Sequence, residues 1–333
     1  CGMGVLPANG LLYSSPYSCT CSVGDMMKGM NAYRSDPELL ESNDSGLIKR
    51  KVRLEKGAAY GKIETGKDAK PGDWPTYRAN EFRGGMTKGA IAANLTVKWE
   101  AKLPAKATAS TIAGGNVYVC APDTHTLYAL DASSGRTAWT FTADGRIDSP
   151  PTLYQGLCIF GCTDGSVYCL SASDGRLVWR FQAAPEERQL CVMGGVESAW
   201  PVHGSVLVRD GMVYCTAGRS SHLDGGIHLY ALDPYNGQTV YRALMRSEEP
   251  DVTKDGGRPF DMEGSRSDIL VAGQEDIYLF QNRFNADLTQ QPMPRITKLG
   301  DRQGESHLMT TDGFLDKTWF NRTYWTHSQR WPG

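Results

Sequence analysis

The chain has 333 residues, of which 40% are hydrophobic and 22% charged, and its formal net charge is −2. That balance gives no overall basic field for nucleic acid, and no apolar run of about 18 residues offers a membrane-spanning helix. The length admits roughly two domains or one larger repeat array.

Residues 1–35 carry turn and short-strand signals, with Asn9-Gly10 marking a turn before Leu11-Leu12-Tyr13. They read as the end of a preceding blade or subdomain with a cysteine cluster. Cys1, Cys19 and Cys21 lack a C-x-x-C pair or a nearby histidine, so a metal site is not supported. If the protein is exported, Cys1 pairs with Cys19 or Cys21; which one cannot be read from the sequence. Residues 36–73 crowd Lys49-Arg50-Lys51, Arg53, Lys56, Lys62, Lys67 and Lys70 among few large apolar side chains. They read as an exposed charged linker or insertion. Trp74 to Lys98 is expected to supply an outer strand that closes a ring.

From there the sequence repeats. Trp99, Trp139 and Trp179 are spaced 40 residues apart, and strand-rich repeats of that period build propeller blades or solenoids. Leu127-Tyr128-Ala129-Leu130-Asp131 is followed by Gly135 and Trp139. Val167-Tyr168-Cys169-Leu170-Ser171 is followed by Gly175 and Trp179, and Leu229-Tyr230-Ala231-Leu232-Asp233 by Gly237 and Tyr241. The alternating stretch predicts a strand, the glycine a turn, and the aromatic residue a ring that fills the gap between neighbouring blades. Upstream strands are predicted at 116–119, 157–160 and 212–215. Asp164-Gly165 marks a tight hairpin after Phe160. Each unit is therefore a four-stranded antiparallel meander, one propeller blade, with limits near 99–139, 140–180 and 181–241. The third carries extra residues at 184–202 and 219–226. A further hairpin is predicted over 269–272 and 277–280, another begins at 308–314, and 256–264 and 290–304 read as loops. Cys120, Cys158, Cys162, Cys169 and Cys215 fall in or beside strands and are expected to be small buried apolar side chains.

Leu-Tyr-Ala-Leu-Asp, then Gly, then Trp at this spacing resembles the PQQ-like repeat of quinoprotein alcohol dehydrogenases and of the assembly lipoprotein BamB. Bacterial envelope proteins called PQQ-binding-like β-propeller repeat proteins are similar in Asp73-Trp74-Pro75-Thr76-Tyr77-Arg78, around Asp148-Ser149-Pro150-Pro151, and at Gly218-Arg219-Ser220-Ser221. The resemblance covers 74–333 well and 1–35 more loosely. It implies an all-β fold, a β-propeller of four-stranded antiparallel blades over 74–333, incomplete in a chain that reads as a fragment. It also implies a periplasmic or extracellular location. PQQ and Ca²⁺ are the cofactors it raises, with neither certain.

Propellers hold ligands at the central channel and in loops on one face. Alignment on Gly115, Gly156 and Gly211 puts Ala107, Asp148 and His203 at one repeat position near the axis. Arg146, Glu197, Trp200 and Arg266 lie close to such positions, and the loop with Arg219 and Asp224 is expected to fold over the same face. Three functions compete. A quinoprotein dehydrogenase would need a calcium site with six to eight oxygen ligands, for which Glu197, Asp148 and Asp224 are the candidates. The chain has neither a vicinal cysteine pair nor C-x-x-C-H. A lyase or hydrolase on acidic glycans would bind carboxylates through Arg146, Arg219 and Arg266 and move the proton with His203, His307 or Tyr154. A binding or scaffold module, with a carbohydrate or protein ligand, needs no catalytic motif, and none is demonstrable. Asp148, His203 and His307 remain the catalytic candidates, and no metal ligand set is assigned.

Overall fold

A computed structural model of the chain describes residues 5–14, 31–34, 53–63, 69–70, 72–86, 89, 93–192, 195–247, 265–292, 308–310, 313–315 and 325–327. Four consecutive antiparallel sheets among the described residues are blades of an incomplete β-propeller. The first blade comprises Thr111–Ala113, Asn116–Ala121, Thr126–Asp131 and Thr137–Thr142. The second comprises Thr152–Tyr154, Leu157–Gly161, Ser166–Ser171 and Leu177–Gln182. The third comprises Leu207–Arg209, Met212–Ala217, Ile227–Leu232 and Thr239–Met245, and the fourth Val271–Ala272, Ile277–Leu279, Asn282–Phe284 and Gln290–Gln291. The blades begin and end later than the sequence limits of 99–139 and 140–180. Trp139 and Trp179 lie in the last strand of a sheet rather than at its boundary.

In the first three blades the turn joining strands one and two has two residues, both left-handed. They are Gly114-Gly115, Gln155-Gly156 and Asp210-Gly211. This is the turn whose twist matches a right-handed hairpin. The cores lie between sheets. Cys158, Phe160 and Tyr168 pack with Tyr118, Leu127 and Trp139 across the first gap. Trp179, Phe181 and Tyr230 pack across the second, and Leu229, Leu279 and Phe284 across the third. Cys120, Cys158, Cys162, Cys169 and Cys215 are buried free thiols in these layers. Cys1, Cys19 and Cys21 lie outside the described residues.

The repeat motif has a mechanical meaning. Trp99, Trp139 and Trp179 each donate their indole N–H to a carbonyl one blade further on: Ala132 at 3.0 Å, Ala172 at 3.1 Å and Pro234 at 2.8 Å. Each ring lies over the turn glycine of that blade. A β-carbon on Gly135, Gly175 or Gly237 would come within 2.5–2.7 Å of the ring. The same glycines hold φ of 72°, 71° and 68°, so the position excludes a side chain twice over. The Asp or Ser four residues earlier fastens the turn. Asp131 Oδ1 accepts from the hydroxyl and the amide of both Ser133 and Ser134, and these bonds hold its carboxyl at about 2. In the third blade Tyr241 replaces the tryptophan and is 40% exposed. There the link to the fourth blade passes instead through Tyr214, whose hydroxyl donates to Ala286 O at 2.9 Å.

Two segments differ from expectation. Trp74 does not lie on an outer edge. It exchanges both backbone hydrogen bonds with Ile112 on the innermost strand of the first blade. The chain then crosses the inner strands of the others, where Leu153 N donates to Pro75 O and Ala272 N to Glu81 O. Arg83, wholly buried, closes this crossing. It donates to Leu270 O, Thr76 Oγ1, Tyr77 O, Ser205 O and Val206 O. The second correction falls within 36–73. Leu54–Lys56 pairs with the last strand of the second blade as a fifth strand. Ala59 is buried, and Arg53 donates to the Tyr230 hydroxyl at 2.9 Å. Lys56, at the end of this strand, is exposed on the sheet edge, where charge is expected.

Candidate functional site

Asp148 and His203 stand just before the innermost strands of the second and third blades, and the fold brings them together. His203 Nδ1 donates to Asp148 Oδ2 at 2.8 Å, and Gly204 N lies 3.5 Å from Oδ1. Burial alone would push the histidine down. The facing Asp148 carboxylate, helped by Glu197, outweighs it and holds His203 above its ordinary value. Burial likewise opposes the charged form of Asp148, but His203 and the Gly204 amide hold its pKa below the usual carboxylate value. Each partner thus favours the charged form of the other. The pair's contribution to stability is complete between the unfolded values of about 3.9 and 6.5. It is lost as pH falls through the lowered Asp148 pKa and as pH rises through the raised His203 pKa.

The extra residues of the third unit supply the next layer. Gln189–Val192 and Gly195–Ser198 form a hairpin, anchored where Ser198 N donates to Thr163 O. It delivers buried Glu197 onto Arg146, with which it forms a close ion pair. Trp200 follows, and its indole N–H donates to Asp224 O at 2.8 Å. Asp224 lies on the loop expected to fold over this face. Its carboxylate takes Arg188 at 2.8 Å and Arg219 at 2.7 Å. The Arg188 guanidinium also lies 4.6 Å from the Trp200 ring centre, a cation–π contact. The charged run Glu186-Glu187-Arg188 inside a repeat-breaking insertion was the available signal for Arg188, which the sequence analysis missed.

Arg266 sits apart. It bridges Ser220 through the backbone and lies over the Phe280 ring. His307 lies outside the described residues. Tyr154 faces Tyr235 across the gap between the second and third blades. A cavity of about 170 Å³ opens beside Asp148, lined among others by Tyr77, Thr108, Ser149, Ile269 and Phe314. The Tyr77 and Phe314 rings meet edge to face at 5.7 Å, and the buried Ser149 Oγ has no hydrogen-bond partner among the described residues.

The three carboxylates considered for calcium do not assemble. Each is neutralised by a different cation: Glu197 by Arg146, Asp148 by His203, Asp224 by Arg188 and Arg219. No group of three or more His, Cys, Asp or Glu side chains with metal-site geometry occurs among the described residues. No helix among them is long and apolar enough to cross a membrane.

Residues 89–201 match the family model described as outer membrane protein assembly factor BamB. No curated protein matches the chain. Among solved structures, the chain is similar to quinohemoprotein alcohol dehydrogenase from Pseudomonas putida, with 17% identity over 55% of this chain and 28% of that one, TM-score 0.45. A europium-containing methanol dehydrogenase shares 18% identity over 55% and 33%, TM-score 0.43. BamB from Moraxella catarrhalis shares 14% over 70% of each chain, TM-score 0.32. The chain thus spans a third or less of the length of these dehydrogenases. Over residues 89–201 the chain is similar to this family, and its four-stranded antiparallel sheets are blades of a β-propeller.

Proposed function

We propose that this propeller is a binding or scaffold module of an exported bacterial protein, with its ligand held at the channel face beside Asp148 and His203. The observation that carries this reading is the charge arrangement. Asp148, Glu197 and Asp224 are each matched by His203 or an arginine, so none of the three is free as a base or as part of an oxygen cage for a hard cation. Arg146 and Arg219, which an acidic-glycan enzyme would turn on its substrate, are already engaged with Glu197 and Asp224. The cavity is lined by the Tyr77 and Phe314 rings, by Thr108, Ser149 and Asp148, and by apolar Ile269 and Leu315. That mixture suits a carbohydrate hydroxyl or a polar peptide segment. The family match to an assembly factor agrees with a module that displays loops rather than turns over substrate, and it supports a place in the cell envelope.

Calorimetric titration of the chain with PQQ, with and without Ca²⁺, tests this. The binding-module reading expects no saturable heat in either case. Calcium-dependent saturation, followed by dye reduction with an alcohol or sugar, would overturn it in favour of a quinoprotein dehydrogenase.

A further inference from the structure

Trp99 occupies the tryptophan position of a blade that is otherwise missing beside it. Its indole N–H reaches Ala132 O and its ring covers Gly135, as Trp139 does with Ala172 and Gly175 one blade later. Yet the segment around Trp99 joins no sheet among the described residues. Leu95 and Val97 are 75% and 87% exposed. Trp99 thus docks on the first blade as the last-strand tryptophan of a preceding blade would, without a sheet around it among the described residues.

The N-terminal sheet has the complementary deficit. Val5–Ala8, Leu11–Ser14 and Asn31–Tyr33 form a three-stranded antiparallel meander. Its first turn, Asn9-Gly10, has φ of 52° and 73°, the left-handed pair seen at Gln155-Gly156 and Asp210-Gly211. The register also matches. Tyr33 faces Leu12, the second residue after the turn glycine. Leu130, Leu170 and Leu232 face Val117, Cys158 and Val213, which hold that same place. Ala32 therefore stands where Ala129, Cys169 and Ala231 stand, opposite Trp139, Trp179 and Tyr241. Among the described residues the strand Asn31–Tyr33 pairs only with Leu11–Ser14, so no described strand covers its other edge, and Val5, Leu6 and Leu12 are exposed.

We propose that the N-terminal sheet of Val5–Ala8, Leu11–Ser14 and Asn31–Tyr33 takes the segment 97–102 of the same chain as its fourth strand, completing a fifth blade against the first. The repeat register places Ala32 opposite Trp99 and position 31 opposite Glu100, as Tyr128 faces Thr140 and Tyr168 faces Arg180. Pairing covers this strand edge. It gives the first blade a neighbour on the side where Trp99 already docks. The two halves of the blade are separated in sequence by the fifth strand of the second blade and by the inner crossing around Arg83, so the whole arc is tied to its own N-terminus.

The test uses the full chain carrying N31C and E100C. Directly opposed residues have β-carbons about 4.5–5.5 Å apart, close to disulfide reach. Mild oxidation is expected to give an intrachain 31–100 disulfide in the monomer by peptide mapping, and none in the off-register pair N31C with K98C. No link, or a link only between two chains, overturns the proposal; the latter would mean that a second copy supplies the sheet. Hydrogen exchange on the unmodified chain keeps the test open if the variant fails to fold. Amides 97–102 are expected to exchange at least about a hundredfold more slowly than unstructured amides. Exchange at the unstructured rate overturns the proposal.

Discussion

Replacing Arg83 by leucine is expected to destabilise the protein by about 3–5 kcal/mol, a large part of the total stability of a typical domain. The guanidinium is fully buried, yet burial lowers its pKa only to about 10, so it stays charged at neutral pH. Its donors meet carbonyls of Leu270, Ser205, Val206 and Tyr77 and the Thr76 hydroxyl. Those acceptors belong to the third and fourth blades and to the crossing segment. Thr76 in turn bonds Thr152 of the second blade at 2.8 Å. Leucine would leave several carbonyls in the interior without a donor, each costing about 1–3 kcal/mol before relaxation. Lysine keeps the charge but not the planar five-donor fork, so R83K should fall between leucine and the parent. Urea unfolding measures all three. Losses below about 1 kcal/mol for both variants would mean that Arg83 does not tie the inner strands together.

The second large effect is expected at the tryptophan–glycine contact. Gly175→Ala should cost about 2–5 kcal/mol. Of this, about 1–2 is the left-handed backbone and about 1–3 is overpacking against the ring, because the new methyl would lie 2.5 Å from Trp139. Gly114→Ala separates the two. Its φ is 60°, but nothing lies within 4 Å of the added carbon, so only the backbone cost applies. Equal losses in the two variants, read from the same unfolding curves, would show that the Trp139 ring does not press on the turn.

Both effects explain why the repeat was so legible. Gly135, Gly175 and Gly237 are fixed by a ring and a dihedral angle at once, and the Asp or Ser before them by the turn it closes, so spacing alone exposes the blades. The hairpin at Asp164-Gly165 and the Asp148–His203 register follow from the same periodicity. Non-periodic parts were not legible. Arg83 carries no local pattern, since its partners come from three distant stretches of chain. The strand at Leu54–Lys56 has the composition of a linker because only one of its edges is covered. Arg188 lies in an insertion that breaks the repeat. The fourth blade is hard to see because Tyr241 is exposed and Leu288, with φ of 65°, takes the left-handed place that glycine fills elsewhere.

The claim that the channel-face charges are spent on one another is tested most directly by the NMR titration of His203. The account predicts an imidazole pKa above 6.5, returned toward or below that value by Asp148→Asn, because the burial cost then acts without the facing carboxylate. A His203 that titrates at or below 6.5 in the parent protein would contradict it. The imidazole would then be neutral at pH 7 and free to act as a base, and a catalytic reading of this face would move to the front.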